Sequence, residues 1–439
     1  MKNFTMQGDL NMDEKLLYIL QKEVKPALGC TGPTSVSFAV SAAKDAVGGN
    51  VNFVKLIVDR DTYKNSVSVG IPGTSQEGVE IAAALGAICG NSKLGLEVLK
   101  NVKKEDEISA KKFVENNLKV EIDWNTKEIG LFIEAFVETS NGLGHAVVSQ
   151  THTNVVLIEV NNKIIYKKEK NENSSLVKTA ENDENDEIRK YKIKDFYDFA
   201  KNVPINKLSF IKEAIDMNKL LAEAGLKKHL GADFGNTFMK LKGSTEYIKA
   251  KAYTAAASDA RMSGENLSAM SCASSGNVGI TASLPLLIIS EENNKNEEEL
   301  LRSVCLSFLL TIYIKSNIGR LSAMCACAIA AGVGVAAGSA YLLDGSYEKI
   351  ELSIKNIVGS LGGVLCDGAK LGCALKLSTA VGVAIESAYL AINGGAIPSN
   401  NGIVCSNADE TLIMLGKIAR EGMIDTDRTI CKAIIERRN

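Results

Sequence analysis

The chain has 439 residues, with 50 Lys and Arg against 52 Asp and Glu, for a net charge of −2. That balance offers no basic field to nucleic acid or acidic lipid, and 5% aromatic residues with one Trp (Trp124) leave little for base stacking. At 46% hydrophobic and 23% charged residues it reads as an ordinary globular chain, long enough for two domains and a sizeable core.

The N-terminal segment MKNFTMQGDLNMDEKLLYIL has no continuous apolar stretch and no small-residue cleavage site, so a cytoplasmic location without a secretory signal is expected. The ten cysteines then sit in a reducing compartment, where metal binding or catalysis outranks disulfides. Residues 12–25 predict an amphipathic helix that stops near Pro26, and LGCTGPTS leads into the apolar helix SVSFAVSAAKDAV.

From about 50 to 168 the period changes to two. VNFVKLIVD, NSVSVGI, LKVEID, LFIEAFVET, HAVVSQTHTNVVLIEV and KIIYKKE read as strands, interrupted by one helix near 76–100. Residues 171–190 are polar and charged, as a linker or surface loop would be. Beyond about 190 the pattern is helical, with Gly-rich breaks at 272–279, 317–320 and 362–373. Ala323–Leu343 is long enough to span a bilayer, but it is mostly Ala, Gly and Cys, and a buried helix explains it better.

The expected fold class is α+β: a large all-helical domain with an inserted β-rich α/β domain. Residues 1–48 are expected to belong with the helical domain at 191–439, residues 49–170 to form the β-rich domain, and 171–190 to link them.

The candidate chemistry lies in cysteines set among Gly and polar residues: Cys30, Cys325, Cys327, Cys366 and Cys373. Cys89, Cys305 and Cys431 have apolar helical surroundings that suit small core residues, and Cys272 and Cys405 have no local metal spacing. The Cys366–Cys373 spacing is weak evidence by itself. Between the pair lie glycines for a tight wrap and a cation, Lys370, and three histidines in the whole chain leave little room for a His-rich site. Three cysteine ligands suit a four-iron cluster with one iron open as a Lewis acid, and a three-thiolate zinc site explains the same ligands.

Cys30 precedes a helix, where the dipole favours a thiolate able to act as a base; a structural thiol at a tight turn reads equally well. Ser274-Ser275-Gly276-Asn277 opens another helix and suits either a carboxylate or simple capping. His152-Thr153-Asn154 falls at a turn between strands, where a structural hydrogen-bonding role is the commoner one.

Seven motifs in order carry a family resemblance: GCTGP (29–33), KNSVSVGIPGT (64–74), HTN (152–154), SSGNVGITASLP (274–285), GRLSAMCAC (319–327), DGAKLGCALK (367–376) and EGMIDTDR (421–428). From about residue 20 to 430 the chain closely resembles the L-cysteine desulfidase family, a branch of the iron–sulfur-dependent L-serine dehydratases. The resemblance implies conversion of L-cysteine to pyruvate, ammonia and hydrogen sulfide with a [4Fe–4S] cluster. Its ligands would be Cys366, Cys373 and a third from GRLSAMCAC, Cys325 being favoured over Cys327. Cys30 would be the base for the Cα proton. Thr31, Lys64, Asn65, His152, Thr153, Asn154, Ser274, Ser275 and Asn277 would contact a small amino-acid substrate.

Neither nucleic acid nor membrane is an expected partner, and homo-oligomerisation is left open. The family usually reads GCTEP, and here Gly32 replaces the Glu. That departure leaves open L-serine as the substrate, or a non-catalytic, redox-sensing cluster protein.

Overall fold

The computed structural model describes residues 11–124, 131–168, 184–241, 245–319 and 321–437. About 61% of the described residues are helical and a six-stranded mixed sheet accompanies the helices, giving an α+β fold. The first helix, Met12–Glu23, opens with a reciprocal cap: Asn11 Oδ1 accepts from Glu14 N–H (3.0 Å) and Glu14 from Asn11 N–H (3.1 Å). It ends where expected, but Pro26 does more than stop it. Residues Val24–Leu28 form strand β1, which pairs far along the chain with β8 (Ser268–Cys272). Pro26 fits a two-stranded ribbon because an edge strand does not need every N–H.

The large sheet comprises β2 (Val51–Asp59), β3 (Leu118–Asp123), β4 (Phe132–Thr139), β5 (Gly142–Ser149), β6 (Val155–Val160) and β7 (Lys163–Lys167). Their spatial order is β3-β2-β4-β5-β6-β7. β2 and β3 are parallel, and the helices at 60–117 form their crossover; the other neighbours are antiparallel.

Two expectations fail inside this crossover. NSVSVGI is not a strand: Asp59 caps a short helix, Arg60–Ser66, by accepting from Thr62 N–H at 2.7 Å, and an irregular loop follows. Val67, Val69 and Ile71 are buried from that loop, and their alternation mimics a strand. The single helix near 76–100 resolves into Val79–Ile88 and a 3₁₀ turn at Ser92–Glu97, and an unanticipated helix, Lys104–Asn117, follows. Only Ala110 of that last helix is buried, so it shows no apolar stripe to read.

One face of the sheet (Val54, Leu56, Val58, Ile133, Ala135, Val137, Ala146, Val148) packs in one core with Val36, Ala39, Val40 and Ala43 of the Thr31–Val47 helix. Met12–Glu23 sits in the helical core, whereas Thr31–Val47, expected there too, packs on the sheet. Most of the proposed linker falls outside the described residues, and Glu184–Lys190 forms a 3₁₀ turn.

The helical core is built from long helices, with Ile329–Leu343 almost wholly buried among them. Its Gly334 lies against Glu297–Ile318; an added Cβ would come within 2.6 Å of the Ser307 carbonyl. Two helices, Glu297–Ile318 and Cys373–Ile392, are long and apolar enough to cross a membrane. Their apolar windows are 89% and 56% buried within the protein.

On the other sheet face, His145 of β5 lies between Glu134 of β4 (Nε2 to Oε1, 2.9 Å) and Glu159 of β6 (Nδ1 to Oε2, 2.7 Å), stacked on Phe136 with ring centroids 4.2 Å apart. Burial opposes its charged form, but the two carboxylates together outweigh that and raise its pKa above 6.5. A raised folded-state pKa stabilises the fold fully below the unfolded value and loses that contribution as pH climbs through the folded one. Denaturant titrations of wild type and His145→Gln should therefore differ most just below pH 6.5 and converge at higher pH. A difference that does not vary with pH would refute the charged-histidine assignment.

Candidate functional site

Three pieces of the chain meet around Cys30. It is the residue before the Thr31–Val47 helix and makes no side-chain cap; its Sγ faces the Asn65 carbonyl at 3.8 Å. Gly29 turns with φ 63° and lies so close to Pro72 that a Cβ would stand 1.9 Å from the ring. Gly32, in the first turn of the helix, lies against the Arg60–Ser66 helix. A Cβ there would be 2.7 Å from the Asn65 carbonyl oxygen and 2.9 Å from Ser66 Oγ.

The Ser-Gly-Asn segment approaches from the helical side. Ala273 and Ser274 both adopt left-handed backbone (φ 47° and 65°), a costly conformation for non-glycine residues. The turn is held by Lys315 Nζ donating to the Ala273 carbonyl, by Thr31 Oγ1 donating to Ser274 O (3.4 Å), and by Ala273 N–H donating to Glu23 O (3.0 Å). The Gly276–Glu292 helix starts there, with its first N–H groups beside Ser274 and Ser275.

Arg261 joins the two halves. Buried to 3% exposure, it donates to the Gly29 carbonyl (2.6 Å) and to Asn277 Oδ1 (3.1 Å), and Gly276 leaves room for its guanidinium. Arg261 is a residue the sequence reading missed. The only trace is a charge in the Ala-rich, buried end of the Glu246–Met262 helix.

The thiols line the opposite wall. Cys325 N–H donates to Val364 O (2.8 Å) and Cys366 N–H to Ala323 O (2.6 Å), so the two cysteine segments pair edge to edge. The Cys325 thiol lies within hydrogen-bonding reach of both Cys366 and Cys327. Cys373 opens the Cys373–Ile392 helix, its thiol donating to Gly368 O (3.5 Å), and Cys327 Sγ is 3.9 Å from Ser275 Oγ. The contact with Cys327 raises the Cys325 pKa. The contact with Cys325 together with burial raises that of Cys366, and burial lifts Cys373 to about 11. Asp367 pairs with Lys370 and Lys376 beside them.

Among the described residues no three His, Cys, Asp or Glu side chains close on one point as they would around a single ion. The thiols instead share a cavity wall, and their soft donor set fits an iron–sulfur group whose ligands sit at separate corners.

Of the residues anticipated from the sequence, Cys30, Thr31, Asn65, His152, Ser274, Ser275, Asn277, Cys325, Cys366 and Cys373 line this one cavity. Three do not. Lys64 is buried beneath the wall with Asp61 (3.2 Å) and Asp427. Asn154 is engaged by the Ser149 carbonyl (2.9 Å) and Lys168 (2.8 Å), and Thr153 lies beside it in the turn. Both belong to the β5–β6 turn that carries His152, and the motif HTN does not reveal which of its three members reaches the cavity. Thr62, Lys315, Cys327 and Lys376 also line it, alongside Arg261.

In this structure the thiols and the start of the Gly276–Glu292 helix face each other across one cavity. The sequence model of the serine dehydratase alpha chain matches residues 93–432, and the chain belongs to that family, which is associated with iron–sulfur-dependent enzymes. It is similar to a UPF0597 protein of Clostridium botulinum (42% identical over 97% of this chain and 99% of the relative) and to one of Clostridium tetani (42% over 98% and 100%). A UPF0597 protein of Caldanaerobacter subterraneus is 41% identical over 95% of this chain and 97% of its own.

The Gly32 contact is directly testable. Gly32→Ala forces the Asn65 carbonyl to move and should destabilise the protein by about 1–3 kcal/mol, as overpacking does, read from denaturant midpoints. An unchanged midpoint would mean that the Arg60–Ser66 helix gives way freely.

Proposed function

We propose that this protein is an iron–sulfur-dependent lyase that cleaves L-cysteine to hydrogen sulfide, pyruvate and ammonia. The observation that carries the reading is the sharing of one cavity by Cys30, the buried thiols and the Ser274–Asn277 helix start. Cys325, Cys366 and Cys373 would hold a [4Fe–4S] cluster, with Cys327, beside Ser275, facing the substrate end. Such a cluster, when bound, supplies a Lewis-acidic iron that makes a thiol or hydroxyl a better leaving group.

The chain's own groups account for the remaining steps. Ser274, Ser275 and the first N–H groups of the Gly276–Glu292 helix receive the substrate carboxylate, and Arg261 orients Asn277 beside them. Thr31 holds the turn through the Ser274 carbonyl, and Asn65 directs the Cys30 thiol through its own. Cys30, at the positive end of its helix, takes the Cα proton. The Cα–H electron pair forms the Cα–Cβ double bond as the Cβ–S bond breaks. Sulfide departs, and water converts the resulting enamine to pyruvate and ammonia. On this reading the protein works in the cytoplasm on a free amino acid, without nucleic acid or membrane.

L-Serine is the second reading, favoured by the serine dehydratase family itself. The same groups would then expel water from Cβ.

Anaerobically reconstituted protein should release sulfide and pyruvate from L-cysteine; pyruvate from L-serine alone would move the assignment to the second reading. No product from either amino acid with an intact cluster would sink both. Cys30→Ala should keep the cluster's visible absorption and lose roughly 10²–10⁴-fold in turnover, the range for a general base. A colourless Cys30→Ala protein would make Cys30 a ligand instead. Iron content should fall in Cys325→Ala and hold in Cys327→Ala, and the reverse would exchange their roles.

A further inference from the structure

The Arg60–Ser66 helix touches the thiol loop as well as Cys30. Gly368, with φ 92°, lies so flat on Lys64 that an added Cβ would be 2.0 Å from the Lys64 carbonyl oxygen and 3.2 Å from its Cγ. The Lys64 side chain is fully enclosed, and its ammonium is held between Asp61 (3.2 Å) and Asp427 of the Ile424–Glu436 helix. Arg60 Nε binds the other oxygen of Asp427 at 3.2 Å, and the Cys431 thiol donates to the Arg60 carbonyl (3.7 Å). Gly368 is two residues from Cys366, so the clamped lysine stands directly behind the thiol loop.

We propose that Lys64 is a positioning residue for the cluster-binding loop: clamped by Asp61 and Asp427, it seats the Gly368 turn and sets a buried positive charge behind the Cys366 thiolate. This rests on the cluster reading above and adds a role for a residue that never reaches the cavity.

Two physical reasons support it. A thiolate-ligated cluster brings net negative charge into a water-poor wall, and a desolvated ammonium nearby offsets part of that burial. A buried lysine is tolerable only when paired, and Asp61 and Asp427 meet that need from two separate helices. The sheet crossover, the thiol loop and the Ile424–Glu436 helix are thereby registered through one residue, its backbone and side-chain stem against Gly368 and its ammonium on Asp427. Partners behind the ligands of a metal site commonly set its affinity.

The test compares wild type, Lys64→Met and Asp427→Asn after anaerobic reconstitution with ferrous iron and sulfide. Iron and acid-labile sulfide per chain, the cluster's reduction potential and the circular dichroism of each apo protein are measured. Lys64→Met should remain helical and retain cluster about tenfold less well, the lower end for outer partners of a metal site. Its residual cluster should be reduced at a more negative potential, because a nearby positive charge that favours the reduced form is gone; a purely structural loss would not move it. Full loading at an unchanged potential in Lys64→Met would overturn the proposal. Should that variant fail to fold, Asp427→Asn decides: weakened retention supports the clamp, and wild-type retention and potential overturn it. Wild type that binds no cluster would instead remove the functional reading beneath it.

Discussion

The buried guanidinium of Arg261 is the interaction on which the arrangement of the site depends. It spans the gap between the Gly29 carbonyl, one residue before Cys30, and Asn277, in the first turn of the opposing helix. A charge with 3% exposure must be compensated by hydrogen bonds, and its Nε has no partner among the described residues. The arrangement therefore gives up stability for register. Its bonds to Gly29 and Asn277 join the Cys30 turn to the opposing helix start directly, alongside the β1–β8 pairing and the long Thr31–Ser274 contact of 3.4 Å.

The same register requires close approach at three glycines. Gly276 admits Arg261, Gly32 meets Asn65, and Gly368 lies on Lys64. Two of these contacts fall on the seven-residue Arg60–Ser66 helix, which makes that short element a shared footing for Cys30 and for the thiol loop. The footing also bears on the replaced glutamate of the GCTEP pattern. With Asn65 and Ser66 where they are, position 32 has no space for a Cβ, let alone a carboxylate. Gly32 is thus matched to its surroundings, and a glutamate there would demand a different seat for the whole short helix.

How much of this was legible in the sequence follows from how local each signal is. The period-two strands of the sheet and the long apolar helices were readable because each buries one face repeatedly. The ribbon between β1 and β8 was not, because its partners lie more than two hundred residues apart and Pro26 reads first as a stop. Val67, Val69 and Ile71 misled because buried side chains can alternate along an irregular loop as well as along a strand. Within the site, motif membership pointed to Cys30, Asn65 and the SSGN segment, all of which line the cavity. It could not separate Lys64 from Asn65, adjacent in one motif, although the first is sealed behind the wall and the second faces inward. Arg261 and Lys315 carry no motif; burial alone gives them meaning.

Whether such a site catalyses or only senses turns on what its strain is for. A cluster that merely carried electrons would need the thiols of Cys325, Cys366 and Cys373 and a shielded wall. It would have no use for two consecutive left-handed residues, Ala273 and Ser274, held by Lys315 and Thr31 so that a helix start faces the thiols. Backbone strain of this sort persists only where neighbouring contacts over-determine it, and it concentrates where a ligand must be gripped. The Ser275 hydroxyl standing against Cys327 brings the Ser274–Asn277 helix start within reach of the sulfur-lined end. On the lyase reading proposed above, that juxtaposition of a polar helix start, a thiol at a second helix start and a thiol wall serves an elimination at Cβ, and it favours catalysis over sensing.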